Sequence, residues 1–149
     1  MLWPSTATVK GSVYNYSVVS SPWRGGKGDV VAEFQKSCEK YGMGLGYYYS
    51  IRANEHLQQQ NVSEADHASL VLQNLQELWG PGPYGNNGNL TELWFDGGIA
   101  LPGVGPEIKA LVAKYQPQTV SGACEYEPGN LSTLITENPV RAIIMYNIV

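Results

Sequence analysis

The stretch "ELWFDGG", residues 92 to 98, sets a carboxylate, Asp96, after a run of bulky residues and before two glycines. Burying such a charge is costly unless the group is paired or hydrogen-bonded, and strand ends are where α/β proteins keep their chemistry. Side chains alternate along a strand, so Glu92, Trp94 and Asp96 share one face. Two readings stand on spacing alone. Asp96 is a chemically used carboxylate at a strand mouth, or it opens a turn, since Asp-Gly is a common turn dipeptide.

Other residue types capable of chemistry form weaker patterns. His56 falls in a polar stretch and His67 on a helix, neither at metal-ligand spacing from carboxylates, and both read as solvent-facing. "GGKGD" (25–29) lacks the preceding strand and the Lys-Ser/Thr ending of a P-loop, so its glycines read as loop-shaping. Neither cysteine has a histidine near it in sequence, and no serine sits on a nucleophile elbow. The sequence therefore calls for no metal and no cofactor.

The elements that must position Asp96 follow from periodicity. Residues 1 to 27 read as irregular. Asp29 then opens a helix in which Val30, Val31, Phe34, Cys38 and Tyr41 recur at spacings of three and four, ending near Gly42. "MGLGYYYS" (43–50) reads as a short buried strand, and the Gln-rich residues 51 to 62 as a loop. Ser63 caps a second helix with Ala68, Val71, Leu72, Leu75, Leu78 and Trp79 on its apolar side, stopped by "GPGPYGNNGN". "LTELWFDGG" is the second strand. A third helix starts around Pro106, with Ile108, Leu111, Val112 and Tyr115 as its stripe, and "QTVSG" is a short third strand. After residue 123 the periodicity fades into a loop and a short apolar segment.

Alternating helices and strands imply a parallel sheet with right-handed crossovers, either half of a doubly wound sheet or part of a barrel. A full eight-stranded barrel takes about 250 residues, and this chain has 149. It is 43% hydrophobic and 15% charged with net charge −4, the balance of a globular domain. Nine basic against thirteen acidic residues, without a basic cluster, argue against a nucleic-acid partner. No apolar run approaches the roughly 20 residues of a membrane span. Four Trp and ten Tyr serve either core packing or a sugar-binding surface. Cys38 and Cys124 are a disulfide or two buried thiols. Sequons at Asn15, Asn61, Asn89 and Asn130 fit a secreted glycoprotein. "MLWPSTATVK" lacks the basic start and apolar stretch of a signal peptide, so a secretory form would carry its leader upstream.

Four motifs, "LWPS", "NYSVVSSPWRGGKGDVVAEF", "YGMGLGYYYS" and "TELWFDGG", are similar, in this order, to a stretch of the catalytic domain of the α-L-fucosidase family of glycoside hydrolases. The resemblance is strongest over residues 2–120, and residues 123–149 diverge. It implies one partial catalytic domain, 1–149, with a partial (β/α)8 TIM-like barrel and hydrolysis that retains the anomeric configuration. It makes Asp96 the nucleophile and places Trp94 in the fucose pocket. The "YYS" strand end also contributes to that pocket. Alternation turns Gly46, Tyr48 and Ser50 inward and Leu45, Tyr47 and Tyr49 toward the helices, which selects Tyr48.

"NPVRAII" is similar to a segment carrying a substrate-pocket Arg, here Arg141. No cofactor is implied; the partner is a fucosylated glycan or glycoside, and the location secreted or lysosomal/vacuolar. Glu92 is too far from Asp96 to be the acid/base, roughly 13 Å along the strand. Glu125, Glu127 and Glu137 qualify on chain order alone. The chain departs from the pattern in three places. Adjacent sugar-binding histidines of the family would precede residue 1, "STATVKGSV" looks like an insertion, and the match nearly ends at residue 122. The expectation is an internal piece of the enzyme, weakly active or inactive alone. A non-catalytic carbohydrate-binding relative and an inactive truncated product are the alternatives.

Overall fold

The computed structural model describes residues 1–52, 54–96, 101–123 and 143–144; of residues 96, 122, 123, 143 and 144 it describes the backbone alone. Among the described residues ten α-helices and β-strands follow one another. A small hairpin, β1 (Thr8–Val9) and β2 (Ser12–Val13), precedes α1 (Val30–Tyr41), β3 (Gly44–Ser50), α2 (Glu55–Gln59) and α3 (Glu64–Trp79). Then come β4 (Glu92–Asp96), α4 (Val104–Tyr115), β5 (Val120–Ala123) and β6 (Ile143–Ile144).

The helix ends carry their expected chemistry. The Asp29 side chain accepts from the Ala32 N–H at the start of α1, and Gly42 ends the helix at φ 65°, a left-handed conformation costly for other residues. Ser63 caps α3 in the same way through the Asp66 N–H. Helix α4 begins at Val104, two residues before Pro106. Proline is tolerated there because first-turn N–H groups have no intrahelical acceptor.

Two expectations for the loops need correction. Residues 51–62 are not wholly a loop. They contain α2, capped by Asn54, with Leu57 as its one buried residue. A five-residue helix with a single apolar anchor leaves no periodicity to read. Residues 1–27, expected irregular, hold the hairpin, turned at Lys10 and Gly11 with φ of 51° and 76°. The "STATVKGSV" stretch is thus an ordered hairpin fastened to α3. Gln73 bonds both the N–H and the carbonyl of Thr8. Glu77 accepts from the Trp3 indole at 2.7 Å and from the Thr6 N–H at 2.8 Å.

The main sheet is parallel with strand order β5-β4-β3-β6. A single apolar cluster joins Leu45, Tyr47 and Tyr49 of β3 and Leu93 and Phe95 of β4 to all three long helices. Val31 and Cys38 come from α1, Val71, Leu75 and Leu78 from α3, and Val104 and Ile108 from α4. The long helices therefore cover one face of the sheet. A doubly wound sheet would carry helices on both.

At the N-terminal edge of the sheet, Gln116 is wholly buried. Its amide donates to the Trp79 and Gly85 carbonyls at 2.9 and 2.8 Å, and its oxygen accepts from the Leu90 N–H at 3.1 Å. One side chain thus closes three backbone groups that water cannot reach.

Candidate active site at the strand ends

Parallel pairing of β3 with β4 sets Gly46 beside Glu92, Tyr48 beside Trp94, and Ser50 beside Asp96. Partners in a parallel register lie on the same face about 4.8 Å apart. Leu45, Tyr47, Tyr49, Leu93 and Phe95 point into the helix-covered core. The alternate set of described side chains, Tyr48, Ser50 and Trp94, therefore faces away from the helices, and the backbone register gives Asp96 the next position in that set. The helix-facing half of the alternation in "GLGYYYS", Leu45, Tyr47 and Tyr49, is found as expected. Tyr48 and Trp94 are half-buried, and Ser50 is buried at 8% exposure.

The backbone places Asp96 as the last residue of β4, at the same end of the sheet as Ser50. Helices α3 and α4 follow β3 and β4 and return along the sheet, so their N-termini face this end. The position is the carboxyl end of a parallel strand, where such folds bind and react. Glu92 lies at the opposite end of the strand. Its Oε2 is buried with no hydrogen-bond partner among the described residues. Gly46 opposite explains how Glu92 fits, since a Cβ at 46 would stand 3.0 Å from the Glu92 carbonyl oxygen and 3.3 Å from its Cβ.

The tyrosines of β3 divide by face. The Tyr47 hydroxyl donates to the Tyr84 carbonyl at 2.8 Å, and the Tyr49 hydroxyl accepts from Asn74 at 3.0 Å. Burial pushes the Tyr49 phenol up to about 12, and Tyr47 also well above the usual range. Both are structural anchors on the covered side. Arg141, Glu125, Glu127, Glu137 and Cys124 lie outside the described residues, as do residues 97–100 that would decide whether Asp96 opens a turn. Cys38 is buried on α1. Among the described residues no group of three or more His, Cys, Asp or Glu is placed to hold a metal ion.

The histidines differ from expectation. Both are half-buried rather than solvent-facing. His67 is bonded to the Ile51 backbone, and burial lowers its pKa. His56 sits in an aromatic cluster, with the Tyr16 ring stacked on it at 4.1 Å and the Tyr14 hydroxyl 2.7 Å from Nδ1. Sequence reading missed this cluster because its halves lie 42 residues apart. The only local signal was the aromatic pair in "YNYS".

No family model matches the chain. Two curated plant proteins do. "Putative alpha-L-fucosidase 1" of Oryza sativa subsp. japonica is 37% identical over 97 residues, 64% of this chain. "Alpha-L-fucosidase 1" of Arabidopsis thaliana is 35% identical over 96 residues, also 64% of the chain. A solved structure, described as a putative alpha-L-fucosidase from Bacteroides thetaiotaomicron, superposes with a TM-score of 0.61 at 30% identity over 80% of the chain. The chain is similar to α-L-fucosidases. It spans 16% of the length of each plant protein and 24% of the bacterial chain. The α-L-fucosidase resemblance seen in four motifs is thus matched by sequence and by backbone shape, and all three relatives carry the name of one glycoside hydrolase.

Proposed function

We propose that this chain carries the nucleophile-bearing part of a retaining α-L-fucosidase, built on consecutive strands of a (β/α)8-type barrel. The observation that carries the reading is the register of β3 with β4. It pairs Asp96 with Ser50 in the backbone register and sets Trp94 beside Tyr48, in a chain similar to three proteins named for that activity. Helices on a single face are what a barrel wall requires.

In this mechanism the Asp96 carboxylate attacks the anomeric carbon of a terminal α-L-fucose, and the glycosidic carbon–oxygen bond breaks. A second carboxyl about 5 Å away protonates the leaving oxygen, then takes a proton from the water that releases the sugar. Its pKa must be held high so that it begins protonated. Glu125, Glu127 and Glu137 are the candidates by chain order. Trp94 and Tyr48 would cover the apolar side of the sugar, and Arg141 would bind its hydroxyls. The substrate is a fucosylated glycan or glycoside, and the location secreted or lysosomal/vacuolar.

The test is intact-mass spectrometry after incubation with 2-deoxy-2-fluoro-α-L-fucosyl fluoride. Fluoride leaves with little help from an acid, so trapping depends chiefly on the nucleophile, and turnover of ordinary fucosides is expected to be weak by comparison. A single covalent adduct, absent in Asp96→Ala, is the expected result. A cooperatively melting chain that binds L-fucose but forms no adduct would be a carbohydrate-binding relative. A chain that neither binds nor reacts would overturn both readings.

A further inference from the structure

The sequon Asn15-Tyr16-Ser17 follows the β1–β2 hairpin, and Asn15 lines a cavity of about 710 Å³. Leu2, Val18, Tyr16 and Trp23 give this cavity apolar and aromatic surface, and Ser20 and Ser21 give it hydroxyls. Tyr16 is 50% and Trp23 44% exposed, unusual openness for large rings. Both rings are nonetheless held. One face of Tyr16 is stacked on His56 at 4.1 Å, and the Trp23 ring lies against Gly28, where no Cβ would fit.

The other described sequons differ. Asn61 sits in the turn before α3 at φ 48°, and the hydroxyl of its Ser63 is committed to Asp66. Asn89 donates through Nδ2 to the Asn87 carbonyl at 3.3 Å. Neither has an aromatic residue next to it in sequence. Asn15 is exposed, its carbonyl accepts from the Ser20 hydroxyl at 3.5 Å, and no hydrogen bond among the described residues engages its side-chain amide.

We infer that Asn15 carries an N-linked glycan whose innermost sugar lies against Tyr16 and Trp23 in this cavity; the inference rests on the secretory location proposed above. In the transfer, Asn15 Nδ2 bonds C1 of the reducing-end N-acetylglucosamine and gives up one proton. The bond from C1 to a polyprenyl diphosphate carrier breaks, and the diphosphate leaves with its electrons. The sugar's C–H face then covers rings that are already in position, so little ordering opposes the contact. The modification gives an occupant to an aromatic patch that the strand-end chemistry does not use.

The test directs the whole chain into the secretory pathway of human cells with an added leader, so that entry does not depend on the chain's own location. Protein recovered from medium or cells is mapped by peptide mass, with and without an amidase that converts glycosylated asparagine to aspartate. Asn15 is expected to read as aspartate only after the amidase; an unmodified Asn15 overturns the inference. Wild type trimmed by an endoglycosidase to the innermost sugar should melt about 2–4 °C above the fully stripped form. Tyr16→Ser and Trp23→Ser keep the sequon and should each reduce that difference at least twofold. Equal melting of the two wild-type forms, or an undiminished difference in both variants, overturns the seat on the rings. Asn15 modified with the added leader but bare in protein from its natural source would overturn the inference through the location, not through the site.

Discussion

The two faces of strands β3 and β4 are made by alternate residues of the same short stretches, and they have opposite chemistry. On the covered face Leu45 and Leu93 are shut from solvent and the Tyr47 and Tyr49 hydroxyls are hydrogen-bonded. On the open face Tyr48 and Trp94 are half-buried, and the strand-end pair Ser50 and Asp96 lie side by side. The apolar drive to fold is concentrated on the first face. The second is left to hold polar and aromatic groups that core packing does not require, which is the physical condition for a binding surface.

The sharpest way to break this contrast is a pair of neighbours on β4. Leu93 is fully buried, and Leu93→Ala should cost about 3 kcal/mol through lost transfer energy and an unfilled cavity. That lowers the melting temperature by about 10 °C for a chain of this size. Trp94→Ala, one residue on, should cost no more than about 1 kcal/mol while weakening L-fucose binding about tenfold. Equal losses of stability from the two substitutions, measured by thermal melts, would mean that the open face is core after all.

A smaller effect separates the hydroxyls. Tyr49→Phe removes the acceptor of the Asn74 amide at 3.0 Å inside the core, worth about 1 kcal/mol. The native phenol, raised to about 12 by burial, adds a pH signature with a definite sign. An unfolded tyrosine loses its proton near 10 and the folded one later. Tyr49 therefore stabilises fully below about pH 10, and that contribution fades as pH rises through about 12. Phenylalanine has no such dependence. Alkaline melts of wild type that run parallel to those of Tyr49→Phe would contradict it.

What could be read in the sequence was whatever local chemistry writes down. Asp29, Gly42 and Ser63 announce the helix ends because capping is a contact within a few residues. Alternation in "GLGYYYS" and "ELWFD" assigned the faces because strand geometry allows two directions and no others. Gln116 was not legible. At the end of α4 it reads as an ordinary polar residue, and only the approach of Trp79, Gly85 and Leu90 makes it the buried closure of three backbone groups. The pairing of Tyr14 and Tyr16 with His56 is likewise a product of how the hairpin lies on α3. The site itself divides in the same way: β4 announced Asp96, whereas the neighbour that register gives it, Ser50, needed the sheet.

His67 offers the finest test, because it joins α3 to the residue that follows β3. Its ring is tied to the backbone of Ile51, the residue after Ser50, and it stands on the first turn of α3. Burial is the largest influence on it and lowers its pKa, with the Arg52 charge acting in the same direction and the Ile51 bond and Glu64 opposing. An unfolded histidine takes up its proton near 6.5, and the folded one only at lower pH. Between those values the unfolded chain binds more protons, so stability rises with pH there. The contribution is complete above about pH 6.5 and is lost as pH falls through the folded value. Partial exposure screens it, so His67→Gln should flatten the acid side of the melting curve by only about 1–2 °C between pH 7.5 and 5. If wild type and His67→Gln lose stability at the same rate on acidification, burial of the His67 ring between α3 and the end of β3 does not govern the acid side of the melting curve.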